Sequence, residues 1–175
     1  SLSRHTIARI ERGYPVSHST LVKVLDALEL SLGDVVERGD PAKTLSKDDA
    51  KKVAKRKKIF ISYNHQDRAY LDRLLIHLKP LEKKGLIDAW ADTRLLAGDK
   101  WKTEIEKALN DSRAAILLIS ADFLASDFII NNELPPLLQK ANKEGTAIIP
   151  VILKPCRFTR DPHLSEFQSI NPPDD

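Results

Sequence analysis

Three polar residues directly follow a short apolar run in the middle of the chain. The run lies within residues 59–62, and Tyr63, Asn64 and His65 come after it. A tyrosine ring can stack on a base, while amide and imidazole nitrogens can bind phosphate or sugar oxygens. Polar groups that follow a buried parallel strand lie where open α/β sheets bind ligands. These residues therefore predict a ligand site. The alternative is that they belong to a loop and cap the next helix.

Glu133 is a candidate for electrostatic catalysis. Pro135 and Pro136 follow it, and proline is tolerated in the first turn of a helix but not in its interior. A helix is therefore predicted to begin or to kink near residues 132–134, and a start there places Glu133 at the positive end of the helix dipole. A carboxylate in such a position can stabilise positive charge on a bound molecule. The alternative is an acid that only stabilises the start of the helix.

The loop that follows the second predicted strand mixes charged residues with an apolar pair. Arg94 offers a cation for a pyrophosphate group, or for a surface salt bridge. Trp101 could form the wall of a ring-binding site, but its helical spacing with Ile105 also fits a core position. Leu95 and Leu96 are an unusual choice for a solvated loop, so we expect them to contact a second copy of the chain.

The scaffold for these residues is predicted from residue 57 onward. Apolar runs without polar alternation, which indicate strands buried on both faces, alternate there with segments of helical periodicity. Such alternation predicts a parallel sheet with right-handed crossovers and helices on both faces. We expect the strand order 2-1-3-4, with room for a fifth short strand, and Tyr63, Asp92 and Ser120 along one rim. The predicted strands cover residues 59–62, 87–90, 114–119 and 147–153. The clearest helix covers residues 67–81, and Pro80 helps to end it.

Residues 1–56 have a different pattern. Short helical patterns cover residues 3–12 and 20–28, and Ser31 with Asp34 resembles a capping box that opens a third short helix. Residues 39–56 are rich in lysine and have few apolar side chains to bury, which is typical of a basic linker. The predicted organisation is a small all-α segment (1–38), a linker (39–56) and an α/β domain (57–175).

Composition excludes several classes of protein. The chain has 175 residues, of which 42% are hydrophobic and 30% charged, and a net charge of +3. These values are ordinary for a soluble globular protein, and the charge alone does not indicate nucleic-acid binding. No apolar run approaches the ~20 residues that span a bilayer, so we expect a cytoplasmic protein without membrane contact. Cys156 is the only cysteine, which agrees with a reducing compartment. The sequence has neither a Gly-x-Gly-x-x-Gly element nor a His/Cys cluster with metal spacing, so no Rossmann cofactor and no metal are predicted.

Four segments of the α/β part resemble sequence boxes of the Toll/interleukin-1 receptor (TIR) domain family. Residues 60–63 (Phe-Ile-Ser-Tyr) resemble its opening box, and residues 92–101 resemble the loop after its second strand. Residues 117–126 resemble its third strand and the segment that follows, and residues 133–134 resemble the site of the glutamate in enzymatic members. The resemblance implies a flavodoxin-like fold for residues 57–175.

The resemblance implies one of two activities. Bacterial members commonly split NAD into nicotinamide and an ADP-ribose product, often as antiphage effectors, whereas others are adaptors that only self-associate. Nicotinamide leaves as a neutral ring from a cationic one, so one carboxylate could suffice where glycosidases use two. The resemblance assigns this role to Glu133, with NAD as substrate and no cofactor. Together with the side-chain chemistry above, it leads us to expect substrate contacts at Tyr63, Asn64, His65, Asp92, Arg94, Gly98, Trp101 and Ile129. Ile129 stands where several NAD-cleaving relatives carry an aromatic residue, and Phe128 is adjacent.

The first residues carry a second resemblance. Residues 3–13, followed by residues 21–30, resemble the rear half of a Cro/repressor-type helix-turn-helix. The resemblance implies a recognition helix with Arg4, His5 and Arg9 facing the major groove. The two helices that precede it in that family are missing, so we expect weak, salt-sensitive DNA binding.

Together these patterns predict an NAD hydrolase that is activated by self-association. Two alternatives stay open. One is a non-enzymatic module that assembles with other TIR domains, and the other is a DNA-binding regulator that its TIR domain oligomerises.

Overall fold

The computed structural model describes residues 18–33, 56–91 and 101–171 of the chain. Its helices and strands, in chain order, are α1 (His18–Gly33), β1 (Lys58–Tyr63), α2 (Arg68–Lys83), β2 (Asp88–Trp90), α3 (Trp101–Asp111), β3 (Ser112–Ile119), α4 (Ala121–Leu124), α5 (Leu134–Glu144) and β4 (Ala147–Ile152). Short 3-10 turns cover His65–Asp67 and Phe158–Arg160, and a π turn covers Ile129–Glu133. The predicted alternation of strands and helices is therefore present from β1 onward.

The four strands form one parallel sheet in the order β2-β1-β3-β4. This order confirms the sequence prediction, and the described ranges contain no fifth strand in this sheet. All residues of β3 are buried, which explains why its sequence is an apolar run without alternation. The chain leaves β1 towards β2 on one side and later returns to β3 on the other. In such sheets the ligand crevice lies at the carboxyl ends of these two strands, where Tyr63 and Ser120 are found.

Helices cover both faces of the sheet. Successive residues of a strand point to opposite faces, so Ile59 and Ile61 pack on one side of β1 and Phe60 packs on the other. The first side is covered by α1 and α2, and the second by α3 and α5. This two-sided burial is the flavodoxin-like α/β arrangement that the sequence predicts.

Helix α1 shares the core of the α/β fold. Its residues Val24 and Leu28 are 1% and 0% exposed, and they pack in the same cluster as Ile149 and Val151 of β4. The predicted third helix at Ser31 is wrong, because α1 runs without a break from His18 to Gly33. A helix-turn-helix is not supported, because the helix described in this region packs Val24 and Leu28 against the sheet. Residues 1–17, which include the predicted recognition helix, lie outside the described ranges.

Helix α2 extends past its predicted end. The sequence places the end near Leu81, helped by Pro80, but the helix continues to Lys83 with Pro80 inside it. Leu78 and Leu81 are buried and hold the last turns on the sheet. Gly85, with φ of 67°, then closes the helix in the left-handed conformation. Burial of these leucines outweighs the local preference of proline for a helix end.

Lys140 ties α5 to the end of α3. Its side chain is 6% exposed, and Nζ donates to the carbonyl oxygen of Leu109 at 2.7 Å and also to that of Asn110. These carbonyls belong to the last turn of α3, where a helix attracts cations. Burial is the largest cause that lowers the pKa of Lys140 from 10.5 to about 8, and the charge of Arg56 acts in the same direction.

We expect Leu28→Ala to lower the free energy of unfolding by about 2–5 kcal/mol, because it deletes a fully buried side chain. Val22→Ala is the control on the same helix, since Val22 is 40% exposed and should change stability by no more than about 0.5 kcal/mol. Urea denaturation measures both. Equal stability of the two variants would show that α1 is not part of the core.

Lys140 should make the free energy of unfolding depend on pH in the alkaline range. The folded state holds this proton less tightly than the unfolded state, so the unfolded state binds more protons between pH 8 and 10.5. The contribution of Lys140 to the free energy of unfolding should therefore rise across this window, by at most about 3 kcal/mol. Lys140→Met should lack the rise when denaturation is measured at each pH. Parallel profiles for parent and variant would contradict this account.

Candidate active site

Ser62 and Glu133 form a buried hydrogen bond at the carboxyl edge of the sheet. Ser62 is the penultimate residue of β1, and its Oγ donates to Oε2 of Glu133 at 2.5 Å. The two residues are 1% and 5% exposed. This length lies in the range of charge-assisted O–H···O⁻ bonds. A carboxylate is thus held beside one of the two strands that border the crevice.

Glu133 ends a π turn. The backbone N–H of Leu134 donates to the carbonyl oxygen of Ile129, five residues earlier. Such turns are rare in proteins, and those that occur are often at functional sites. Helix α5 begins directly afterwards, which confirms the predicted helix start near residues 132–134. Glu133 occupies the N-cap position, yet its side chain makes no capping hydrogen bond. Its carboxylate binds Ser62 of the neighbouring strand, so a capping role does not account for it.

A second buried carboxylate lies at the same edge. Asp67 is 0% exposed and accepts from Ser120 Oγ at 2.5 Å and from Lys154 Nζ at 2.8 Å. The Lys154 ammonium also lies 5.5 Å from the centre of the Tyr70 ring. Its hydrogen bond to Asp67 raises the pKa of Lys154 and favours the charged form. This cluster joins the chain segments that follow β1, β3 and β4.

Asn64 bridges the loops that follow β1 and β3. Its Nδ2 donates to the carbonyl oxygen of Asp122 at 2.9 Å, and its Oδ1 accepts from the N–H of Gln66 at 3.0 Å. The second bond caps the 3-10 turn at His65–Asp67. The capping alternative for Asn64 is therefore realised, and the first bond crosses the crevice between the two strands.

Comparison with known protein families identifies the family of this chain. The model of the TIR domain family matches residues 59–174, which is more than half of the chain. The chain belongs to the TIR domain family. It is similar to an uncharacterised protein of Sinorhizobium fredii, y4lF, with 33% identity over 113 residues. That match covers 65% of this chain and 34% of the relative, so the chain spans about a third of the relative's length.

Among solved structures the chain is similar to the TIR domain of the Toll-related receptor TRR-2 from Hydra magnipapillata. The identity is 25%, the TM-score is 0.43, and the match covers 56% of this chain and 71% of that chain.

Two predicted substrate contacts are core residues of this TIR domain. Tyr63 and Ile129 are 5% and 3% exposed. Tyr63 points to the same face of β1 as Ile61, towards α2, because strand residues two apart share a face. Its ring meets the edge of the His65 ring, with 5.6 Å between centres, and His65 itself is exposed.

Phe128 presents the exposed aromatic surface nearest in sequence to Glu133. Its side chain is 39% exposed, whereas the adjacent Ile129 is buried. In an α-helix Phe128 would point about 100° away from the position four residues before Glu133. The chain here forms a π turn, and Phe128 precedes Glu133 by the five-residue spacing that a π hydrogen bond bridges. The exposure of Phe128 next to a buried Ile129 shows that the two side chains point in different directions in this turn as well.

The other predicted site residues lie outside the described ranges. They are Asp92, Arg94, Leu95, Leu96 and Gly98 in the loop after β2, and Arg4, His5 and Arg9 in the amino-terminal segment. Trp101 begins α3, but its side chain is not described. Across the described ranges, no group of three or more His, Cys, Asp or Glu residues could hold a metal ion. The helices described in those ranges are also too short or too polar to cross a membrane.

We expect Asp67→Asn to lower the free energy of unfolding by about 1–3 kcal/mol. The substitution replaces one acceptor oxygen with an NH2 group, which cannot accept a hydrogen bond, so the side chain loses its acceptor for either Ser120 or Lys154. Asp72→Asn is the matched control, since Asp72 is 55% exposed and pairs with Arg68 on the surface of α2. It should cost no more than about 0.5 kcal/mol in the same urea titration. A loss of equal size in the two variants would contradict a structural role for the Asp67 cluster.

Proposed function

We propose that this TIR domain hydrolyses NAD at the bond between nicotinamide and ribose, with Glu133 as the catalytic carboxylate. The observation that carries the proposal is the placement of the Glu133 side chain. It stands at a helix start without capping it, and a hydroxyl of the central sheet holds it at the carboxyl edge. This edge is where sheets of this topology bind their ligands.

The chemistry asks little more than a fixed negative charge. When the C1′–N bond breaks, its electron pair passes to the pyridinium nitrogen, and nicotinamide leaves as a neutral molecule. Positive charge develops on the ribose, and water then adds to C1′ with loss of a proton. A preorganised carboxylate stabilises that positive charge in the transition state, and no acid is needed for the leaving group. Burial of Glu133 strengthens the interaction, because a low local dielectric screens charges less than water does.

The burial of Glu133 also supports activation by self-association. At 5% exposure the side chain offers little surface to a ribose, so the edge must open for a substrate to reach it. We propose that contacts with a second copy open it, through the loop that contains Leu95 and Leu96. Asp92, Arg94 and Gly98 of the same loop would then contact NAD together with His65 and Trp101. A cytoplasmic role as an antiphage effector belongs to the same proposal.

Glu133→Gln should abolish detectable nicotinamide release. A glutamine keeps the shape and can still accept from Ser62, but it removes the negative charge, and the loss of one preorganised group typically costs about 10²–10³ in rate. Release is followed by chromatography with NAD as substrate, with and without crowding agent, and assembly is followed by light scattering.

Glu106→Gln is the control for this experiment, because Glu106 is an exposed acid on α3. Glu144 is less suitable, since it pairs with Arg56 and Lys140. Parent activity in Glu133→Gln would remove Glu133 from the mechanism. An assembled parent that releases no nicotinamide would instead favour a TIR–TIR interaction module without enzymatic activity.

A further inference from the structure

Ser62 is a polar residue in the most buried strand pair of the described sheet, and its side chain points at Glu133. It lies opposite Leu117 of β3 and is 1% exposed. Ser62 and Glu133 are 71 positions apart in the chain, so their contact depends on the tertiary fold. A buried hydroxyl is retained at low cost only when it has a partner, and here the partner is the Glu133 carboxylate.

The two ends of this bond differ in how firmly the backbone holds them. Strand β1 is paired with β2 at residues 58–60 and with β3 along its whole length, so the position of Ser62 is fixed by the ladder with β3. Glu133 lies at the junction of a π turn with α5, and its side chain has several rotatable bonds. The hydroxyl of the strand therefore restricts the orientation of the carboxylate.

We infer that Ser62 is a positioning residue, whose hydroxyl holds Oε2 of Glu133 so that Oε1 is aimed at the ribose of the substrate. This inference rests on the proposed function and deepens it. A neutral donor is suited to the task, because it orients the carboxylate without cancelling the charge that the transition state needs. Misplacement of a catalytic group by about 1 Å can cost about 10²-fold in rate.

The test compares kcat and KM for nicotinamide release in the parent, Ser62→Ala, Ser62→Thr and Ser112→Ala. Ser112 is the matched control, because it is also fully buried and its Oγ also makes a 2.5 Å hydrogen bond, to the carbonyl oxygen of Ala108 at the opposite edge of the sheet. All rates are measured below the melting temperature of the least stable variant.

Ser62→Ala should lower kcat about 10- to 100-fold and leave KM within about twofold of the parent. Ser62→Thr, which keeps the hydroxyl, should recover most of kcat, and Ser112→Ala should keep the parent kcat. The inference is overturned if Ser62→Ala has the parent kcat, or if Ser112→Ala loses as much. It is also overturned if kcat rises in Ser62→Ala, since the bond would then be a restraint that must break before reaction. In these three cases the role of Glu133 stands, whereas an inactive parent or an active Glu133→Gln overturns the proposed function as well.

Discussion

The carboxyl edge of this sheet depends on the pairing of buried carboxylates with hydroxyl groups from the strand ends. A carboxylate removed from water must be hydrogen-bonded, and the edge buries two of them. Asp67, after β1, accepts from Ser120 at the end of β3, and Glu133, before α5, accepts from Ser62 in β1. Each bond joins an irregular segment to a strand or to its end. The segments that hold Asp67 and Glu133 are thereby tied to the sheet.

The two carboxylates accept hydrogen bonds from different kinds of donor. Asp67 also accepts from the Lys154 ammonium, so its charge is compensated and it serves to hold the strand ends together. The bond that Glu133 receives from Ser62 comes from a neutral donor, which fixes a charge without neutralising it. Asp67 therefore serves the fold, whereas the proposal assigns the chemistry to Glu133.

The strands, their order and the helix start at Glu133 could be predicted from sequence because local patterns determine them. Uninterrupted apolar runs indicate a parallel sheet, and Pro135 and Pro136 indicate the start of α5. Contacts between distant residues could not be predicted in this way. Lys154 and Asp67 are 87 positions apart, and no periodicity connects them. The end of α2 was missed because the burial of Leu81 depends on tertiary packing, which outweighs the local effect of Pro80.

The positions of Tyr63 and Ser62 also differ from the prediction, and both follow from the alternation of strand side chains between the two faces of the sheet. Tyr63 shares its face with Ile59 and Ile61, so its ring belongs with the core that α1 and α2 cover. Ser62 shares its face with Phe60, and a serine in such a buried run requires a polar partner. That partner, Glu133, could be identified only from the fold.

The central claim is that Glu133 meets the ribose of NAD through one oxygen while Ser62 holds the other. A crystal structure with a carbocyclic NAD analogue, whose nicotinamide bond cannot be cleaved in this way, tests it most directly. We expect Oε1 of Glu133 within hydrogen-bond distance of the hydroxyl groups of the carbocycle, with the Ser62 bond to Oε2 intact. An analogue bound away from the carboxyl ends of β1 and β3, or a Glu133 that turns away from both Ser62 and the analogue, would contradict the account.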